Sequence, residues 1–244
     1  MKEDAFISTA REFIEFINQQ VGMYTDACSG FAGNKTIVER QVMRISRAVG
    51  SRINKMGNEI IMRASLEDPS QPDVIHQRII KASDYIAENS KDGSHEQQHA
   101  RSIIVFLYTY WEDEIRPRLA KAKGIERNQL ISDIMGDLRI IRQAILHTKS
   151  MLCVEDHKKL KILSDLFPSD SLLLISYDKM HKIFVLAKQE IGRLMLEHMG
   201  QENGPVRPEN IQDIAIQTTG SDPLTSCTIN FITGGGISDS NRKT

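Results

Sequence analysis

The sequence is short of the features that mark secreted, membrane-embedded or strongly nucleic-acid-binding chains. Cysteine is scarce: Cys28, Cys153 and Cys227 are three residues, an odd number at wide spacing. No disulfide framework and no Cys-x-x-Cys metal pair follows from them, and a reducing compartment is the expectation. An excess of one charge is missing too. The 31 Lys and Arg residues stand against 32 Asp and Glu, so net charge announces no basic nucleic-acid binder and leaves only a local patch to find. Aromatics are few; Trp111, with Tyr108 and Tyr110, forms one cluster that suits either base stacking or, more simply, packing in a core. The longest apolar run, Ile103 to Trp111, is broken by Thr109 and is much too short to span a bilayer as a helix. Met1-Lys2-Glu3-Asp4 is acidic and lacks the apolar segment and cleavage site of a signal peptide. A soluble, cytoplasmic protein with no membrane partner is expected.

What the sequence does have is helical periodicity before residue 200. Ala10, Phe13, Ile14, Ile17 and Val21 define a first helix, ended by a Gly-rich connector from Thr25 to Lys35. Val38, Val42, Ile45, Val49, Ile53, Met56 and Ile60 step through a long second helix, which Asp68-Pro69 and Gln71-Pro72 break. Ile75, Ile79, Ala82 and Ile86 predict a third helix, closed by Lys91-Asp92-Gly93. Ser94 is the expected cap of a fourth, carrying Ile103, Phe106, Leu107, Tyr110 and Ile115 and kinked near its end by Pro117. Asn128 is the expected cap of a fifth, with Ile131, Ile134, Leu138, Ile141 and Ile145 on one side. A short helix over Val154 to Leu166, a turn at Phe167 to Asp170, a strand or extended segment from Leu172 to Ile175, and a last helix from Met180 to Gly200 follow. Residues 201–244 are rich in Gly, Ser, Thr, Asn and Pro and read as a polar, disordered or short-strand tail. The fold class expected is all-α: an antiparallel helical bundle over residues 1–200, a short extended segment, and the tail.

The fifth helix is the most informative stretch. At about 100° per residue, Ile134, Leu138, Ile141 and Ile145 form one narrow stripe for the core. Arg139, Gln143 and His147 follow at four-residue steps on the opposite side, with Arg142 on the flank. Between Arg139 and Lys161 lie six basic and two acidic residues, a local surplus suited to phosphate. Polar residues opposite an apolar stripe are also what an ordinary surface helix shows.

Asp137-Leu138-Arg139, leading into Arg142-Gln143 and ending at His147, resembles the signature of the HEPN superfamily. Tyr110-Trp111-Glu112-Asp113-Glu114-Ile115-Arg116-Pro117 resembles the helix that precedes that signature in bacterial members. The likeness covers roughly residues 70–200. HEPN proteins are helical bundles, usually dimeric, with an R-x(4–6)-H motif on a late helix. Many are metal-independent RNA endonucleases of toxin–antitoxin, abortive-infection and CRISPR-linked systems. The resemblance implies a homodimer acting on RNA, Arg142 and His147 as catalytic residues, and Arg139, Gln143 and Lys149 as substrate-binding residues. It implies neither metal nor cofactor, and an antitoxin or nucleotidyltransferase as partner. In one respect the chain departs from the pattern: the residue after the motif arginine is often Asn, Asp or His in active members, and here it is Gln143, an amide one methylene longer. A non-catalytic HEPN-like module that binds nucleotides or a protein is the alternative.

The chemistry suits these residue types. The ribose 2′-hydroxyl serves as internal nucleophile, histidine moves protons near neutral pH, and arginine offers phosphate a planar fork of donors. Five positions separate Arg142 from His147, which turns them about 140° apart on an ideal helix. Two copies related by a twofold axis would combine their residues in one cleft. A competing motif, His95-Glu96-Gln97-Gln98-His99, matches the zinc-protease string H-E-x-x-H. It starts at a helix N-terminus, is followed by Arg101, and has no evident third ligand, so a solvated first turn is the simpler account. A plain helical interaction protein, with the tail as its contact segment, is a further reading.

Overall fold

A computed structural model describes residues 4–49, 61–68 and 70–200; for Val49, 61–68 and 71–78 it describes the backbone alone. The described chain is mostly helical. The tail expected over 201–244 lies outside the described residues.

Helix α1 spans Ala5–Val49. Asp4 starts it, its carboxylate accepting the N–H groups of Phe6 at 2.8 Å and Ile7 at 3.2 Å. Phe6, Ala10, Phe13, Ile14 and Ile17 recur at three- and four-residue steps and are buried, which gives the helix its apolar face. The connector expected at Thr25 to Lys35 is absent, and the helix runs straight through it. Each glycine costs a helix only about 1 kcal/mol relative to alanine. Tertiary contacts outweigh that here: Tyr24 and Val38 are buried, and the Phe31 ring lies 5.4 Å from that of His95. The expected second helix is therefore the continuation of α1 as far as Val49; its remainder to Ile60 falls outside the described residues.

The expected third helix is largely a β-hairpin. Strands β1 (Ile61–Asp68) and β2 (Gln71–Lys81) pair antiparallel, from Ile61 opposite Lys81 to Asp68 opposite Gln71. Ser70 lies in the turn between them, and Asp68 pairs with Gln71 across it. Between Glu67 and Asp68 the register slips, and this irregularity accommodates Pro72, which has no N–H for a ladder. Val74, Ile75, Ile79 and Ile80 are β-branched and favour the extended backbone. Only Ala82–Glu88 remains helical, as α2. The connection to the next helix is tight: Asp92 has φ of 59°, and a side chain at Gly93 would meet the Glu88 carbonyl oxygen at 2.5 Å.

Helix α3 spans Ser94–Tyr110. Its N-cap position is Gly93, with no side-chain cap bond, so Ser94 is its first residue and not its cap. A π turn, Trp111–Ile115, continues it into α4, Arg116–Lys123. Pro117 sits just beyond the wide turn, where its missing N–H and its ring are tolerated inside a continuous helical path. Trp111, Tyr108 and Tyr110 take the packing role. Trp111 is fully buried with its ring 5.4 Å from Phe13, and Tyr110 hydrogen-bonds Glu12.

A short 3-10 turn at Arg127–Gln129 precedes α5, Asp133–His147. Ser132, not Asn128, caps α5, its hydroxyl accepting the N–H of Met135 at 3.4 Å. Ile134, Leu138 and Ile141 are buried, Ile145 is half-buried, and Ile131 is exposed, outside the helix it was assigned to. The segment expected as one helix over Val154 to Leu166 holds a single turn, α6 at Val154–His157, and a 3-10 turn at Ser164–Leu166. The chain between them is organised by Asp137 of α5. Its buried carboxylate accepts the backbone N–H groups of Lys161 at 2.9 Å, Ile162 at 2.7 Å and Leu163 at 2.8 Å. His157 belongs to this loop and is not merely part of a solvated charge run, because its ring nitrogen lies 3.2 Å from the Ser164 carbonyl. Met151–Leu152 (β3) pairs with Ser171–Leu172 (β4), and α7, Tyr177–His198, is capped by Ser176. α1 packs on α3, α4 and α7, and α5 packs on α3 and α7, enclosing the core. No helix among the described residues is long and apolar enough to cross a membrane.

Two outcomes follow. A methyl group added at Gly30 or Gly33 meets nothing within 4 Å, so Gly30→Ala with Gly33→Ala should raise stability by about 0.5–1 kcal/mol per site, read as a higher melting temperature. No gain would mean that this stretch is not helical in solution. Asp137→Ala leaves three donors without their acceptor and should cost on the order of 3 kcal/mol or more in urea unfolding, with Asp137→Asn intermediate.

Candidate functional site

The structure sorts the residues of α5 as their spacing suggests. Arg139, Gln143 and His147 are exposed, and Arg142 is half-buried on the flank. His147 is the last residue of the helix. Thr148 closes it, its N–H and hydroxyl both donating to the Ala144 carbonyl, at 3.2 and 3.0 Å. Lys149 and Ser150 then adopt left-handed backbone, φ 53° and 66°. Two such non-glycine residues in a row carry a strain of about 1 kcal/mol or more each. Lys149 is thus exposed on a fixed turn just beyond His147.

Arg142 does not point the same way as His147. Its guanidinium carbon lies 5.8 Å from the centre of the Tyr108 ring on α3, a cation–π distance. Its Nε is buried without a hydrogen-bond partner among the described residues. His147, five residues on, lies about 7.5 Å further along the axis and about 140° around it. One chain therefore provides both groups on one helix and does not aim them at one point.

Around Tyr108 stands a group of charges that sequence reasoning did not gather. Glu112, in the π turn one helical turn beyond Tyr108, accepts hydrogen bonds from Arg116, at 3.2 and 3.0 Å, and from Arg127. Arg116 also donates through Nε to the Leu130 carbonyl at 3.1 Å, tying α4 to the approach of α5. Burial pushes the Glu112 pKa up, but the Arg127 and Arg116 hydrogen bonds outweigh it and hold the carboxyl below its ordinary value. Burial raises the Tyr108 hydroxyl above its ordinary value, and Glu112 adds to this; Arg139, Arg116 and Arg142 pull the other way. Three arginines from two helices thus bear on one phenol. The only sequence signal for this was the four-residue step from Tyr108 to Glu112 to Arg116, which places all three on one face.

The competing H-E-x-x-H string does not assemble as a zinc site. Glu96 is buried and turned back to accept the Asp92 N–H at 2.7 Å. His95 faces Glu88 at 3.5 Å, while His99 stacks on Tyr24 with ring centres 5.9 Å apart. Among the described residues no three His, Cys, Asp or Glu side chains are grouped to hold a metal ion.

Beside α5, an open groove of about 310 Å³ is lined by Arg101, Val105, Phe106 and Thr109 from α3 and by Ile145 and Leu146. Phe106 is 53% and Leu146 48% exposed, both large apolar side chains left open near the end of the motif helix. Comparison of the chain with protein-family models, with curated proteins and with solved structures gives no match.

The Glu112 cluster has a pH signature. A carboxyl held below its ordinary value of 4.5 contributes stability that is fully present above that value and is lost as pH falls through the depressed one. Glu112→Gln should therefore melt a few degrees below the wild type at neutral pH, with the gap closing as pH falls well below 4.5. A gap that stays constant through the acid range would show that the ion pairs contribute nothing.

Proposed function

We propose that this chain is a metal-independent RNA endonuclease of HEPN type, acting as a homodimer, with Arg142 and His147 as its catalytic residues. The observation that carries the reading is the state of Arg142. Its guanidinium rests on the Tyr108 ring and makes no hydrogen bond or ion pair among the described residues, and its Nη donors, unlike the buried Nε, are open to a phosphate. His147 stands exposed on the same helix. In the reaction the ribose 2′-oxygen attacks the adjacent phosphorus, the O2′–P bond forms, and the P–O5′ bond breaks. A base takes the 2′-hydroxyl proton and an acid gives a proton to the departing 5′-oxygen, leaving a 2′,3′-cyclic phosphate and a 5′-hydroxyl. His147 supplies one of the two proton transfers. Arg142 stabilises the charge on the phosphorane oxygens, and Arg139, Gln143 and Lys149 hold the strand.

The divergence of Arg142 and His147 favours a cleft shared by two copies, and Phe106 and Leu146 give a second copy apolar surface to cover. A role as a toxin or anti-phage effector, with an antitoxin or nucleotidyltransferase to restrain it, accords with the resemblance of the motif. The competing reading, a non-catalytic module that binds a nucleotide or a protein, is favoured by Gln143.

The test is purified protein with single-stranded RNA in EDTA. Light scattering should give about twice 27.6 kDa. His147→Ala and Arg142→Ala should each lower cleavage by about a hundredfold or more, and Arg142→Lys should recover little because an ammonium lacks the planar fork. All should remain folded, since both side chains lie off the stripe of Leu138 and Ile141. Cleavage that needs magnesium, or that survives both substitutions, would falsify the site assignment. RNA binding without cleavage by wild type would establish the non-catalytic alternative.

A further inference from the structure

A buried guanidinium nitrogen with no partner needs a compensating interaction, and the structure offers one. Arg142 Nε is shielded from solvent and unpaired among the described residues, while the two Nη nitrogens are not buried in this way. The same guanidinium lies against Tyr108, 5.8 Å from the ring centre. Tyr108 is only 8% exposed, so its ring is a fixed wall and not a mobile surface group. Its hydroxyl makes no hydrogen bond among the described residues, so the ring face is what it offers Arg142. The carboxylate one turn further, that of Glu112, is bonded by Arg116 and Arg127 and is not paired with Arg142.

We infer that Tyr108 is a positioning residue: its ring face holds the Arg142 guanidinium at the Nε side, so that the Nη edge is presented to a phosphate. Glu112 is kept from neutralising that edge because Arg116 and Arg127 occupy it. This inference rests on reading Arg142 as the phosphate-binding arginine. The ring and not the hydroxyl does the positioning, so Tyr108→Phe preserves it and Tyr108→Leu removes it. Because a fork aligned on the phosphorane acts in the transition state, its loss falls on kcat more than on KM.

The experiment has two arms. In the first, cleavage of a defined single-stranded RNA is followed with wild type, Tyr108→Phe and Tyr108→Leu. Tyr108→Phe should stay within about threefold of wild type, and Tyr108→Leu should lose about tenfold to a hundredfold in kcat with KM little changed. In the second, which needs no cleavage, the Arg142 Nε–Hε resonance of 15N-labelled protein is identified by its absence in Arg142→Lys. It should keep its position in Tyr108→Phe and move in Tyr108→Leu as the aromatic ring current is lost. Tyr108→Met, an unbranched filler without a π face, replaces Tyr108→Leu if the latter fails to fold. A resonance that does not move in Tyr108→Leu, or a Tyr108→Phe variant as damaged as Tyr108→Leu, overturns the inference. If wild type cleaves no RNA, the proposed function falls alone, and the resonance still decides whether Tyr108 holds Arg142.

Discussion

The carboxylate of Asp137 accepts three consecutive backbone N–H groups, those of residues 161–163, and much of the second half of the chain is arranged around it. Those donors lie in a loop with no regular structure to satisfy them, and an unpaired buried N–H is expensive. By taking all three, Asp137 holds the loop against α5 and puts Leu160 and Leu163 into the core, where both are buried. Phe167, Leu173 and Ile175 follow it into the same core. Gln97 of α3 fastens the next segment in a similar way, its amide exchanging two bonds with the backbone of Ile175. Two polar side chains, each buried, thus replace the secondary structure that the stretch between α5 and α7 largely lacks.

A second consequence of placing Asp137 inward is where the rest of α5 points. With Ile134, Asp137, Leu138 and Ile141 on the buried side, Arg139 and Gln143 must face outward, and Arg142 falls at the seam with α3. The charges near that seam are divided between two tasks. Arg116 and Arg127 are committed to Glu112 and tie α4 and the 3-10 turn together. Arg139 and Arg142, on the helix that bears His147, make no ion pair among the described residues. A surface with nearly balanced overall charge can in this way hold a locally positive strip, since its nearby carboxylate is already spent on structural pairs.

Helices with unbroken three- and four-residue stepping were legible from the residues alone: Ile134, Leu138 and Ile141 in α5, and Met180, Phe184, Ala187 and Ile191 in α7, are all buried as that stepping requires. Periodicity is local information, and these helices need nothing else. The continuity of α1 was not legible, because what sustains it across Gly30 and Gly33 is contact such as that of Phe31 with His95, more than sixty residues away. The hairpin was missed for a different reason: residues four apart, such as Ile75 and Ile79, satisfy a helix and a strand equally. The cap at Gly93 and the loop built on Asp137 depend on backbone groups that carry no sequence pattern, and Ser132 competed for the α5 cap with Asn128, a residue that caps equally well. At the candidate site, the flank position of Arg142 followed from helical geometry. The Tyr108 ring beneath it, contributed from α3, is a tertiary fact.

The wide turn at Trp111–Ile115 sets a limit of its own on how this sequence can change. Its Trp111 carbonyl accepts from Arg116, five residues on, so one residue more than ordinary winding needs is taken up there. Removing Asp113 or Glu114 would restore ordinary winding and leave everything from Arg116 to Lys123 close to its present facing, because five residues of wide turn cover about the same angle as four of ordinary helix. Leu119 and Ala120, both buried, would still face the core, and Arg116 would still stand within one turn of Glu112. Asp113 and Glu114 are exposed and free to vary in identity. The turn is thus tolerant of spelling, and what its extra residue relieves is Pro117, whose ring ordinary winding would press against the carbonyl four residues back.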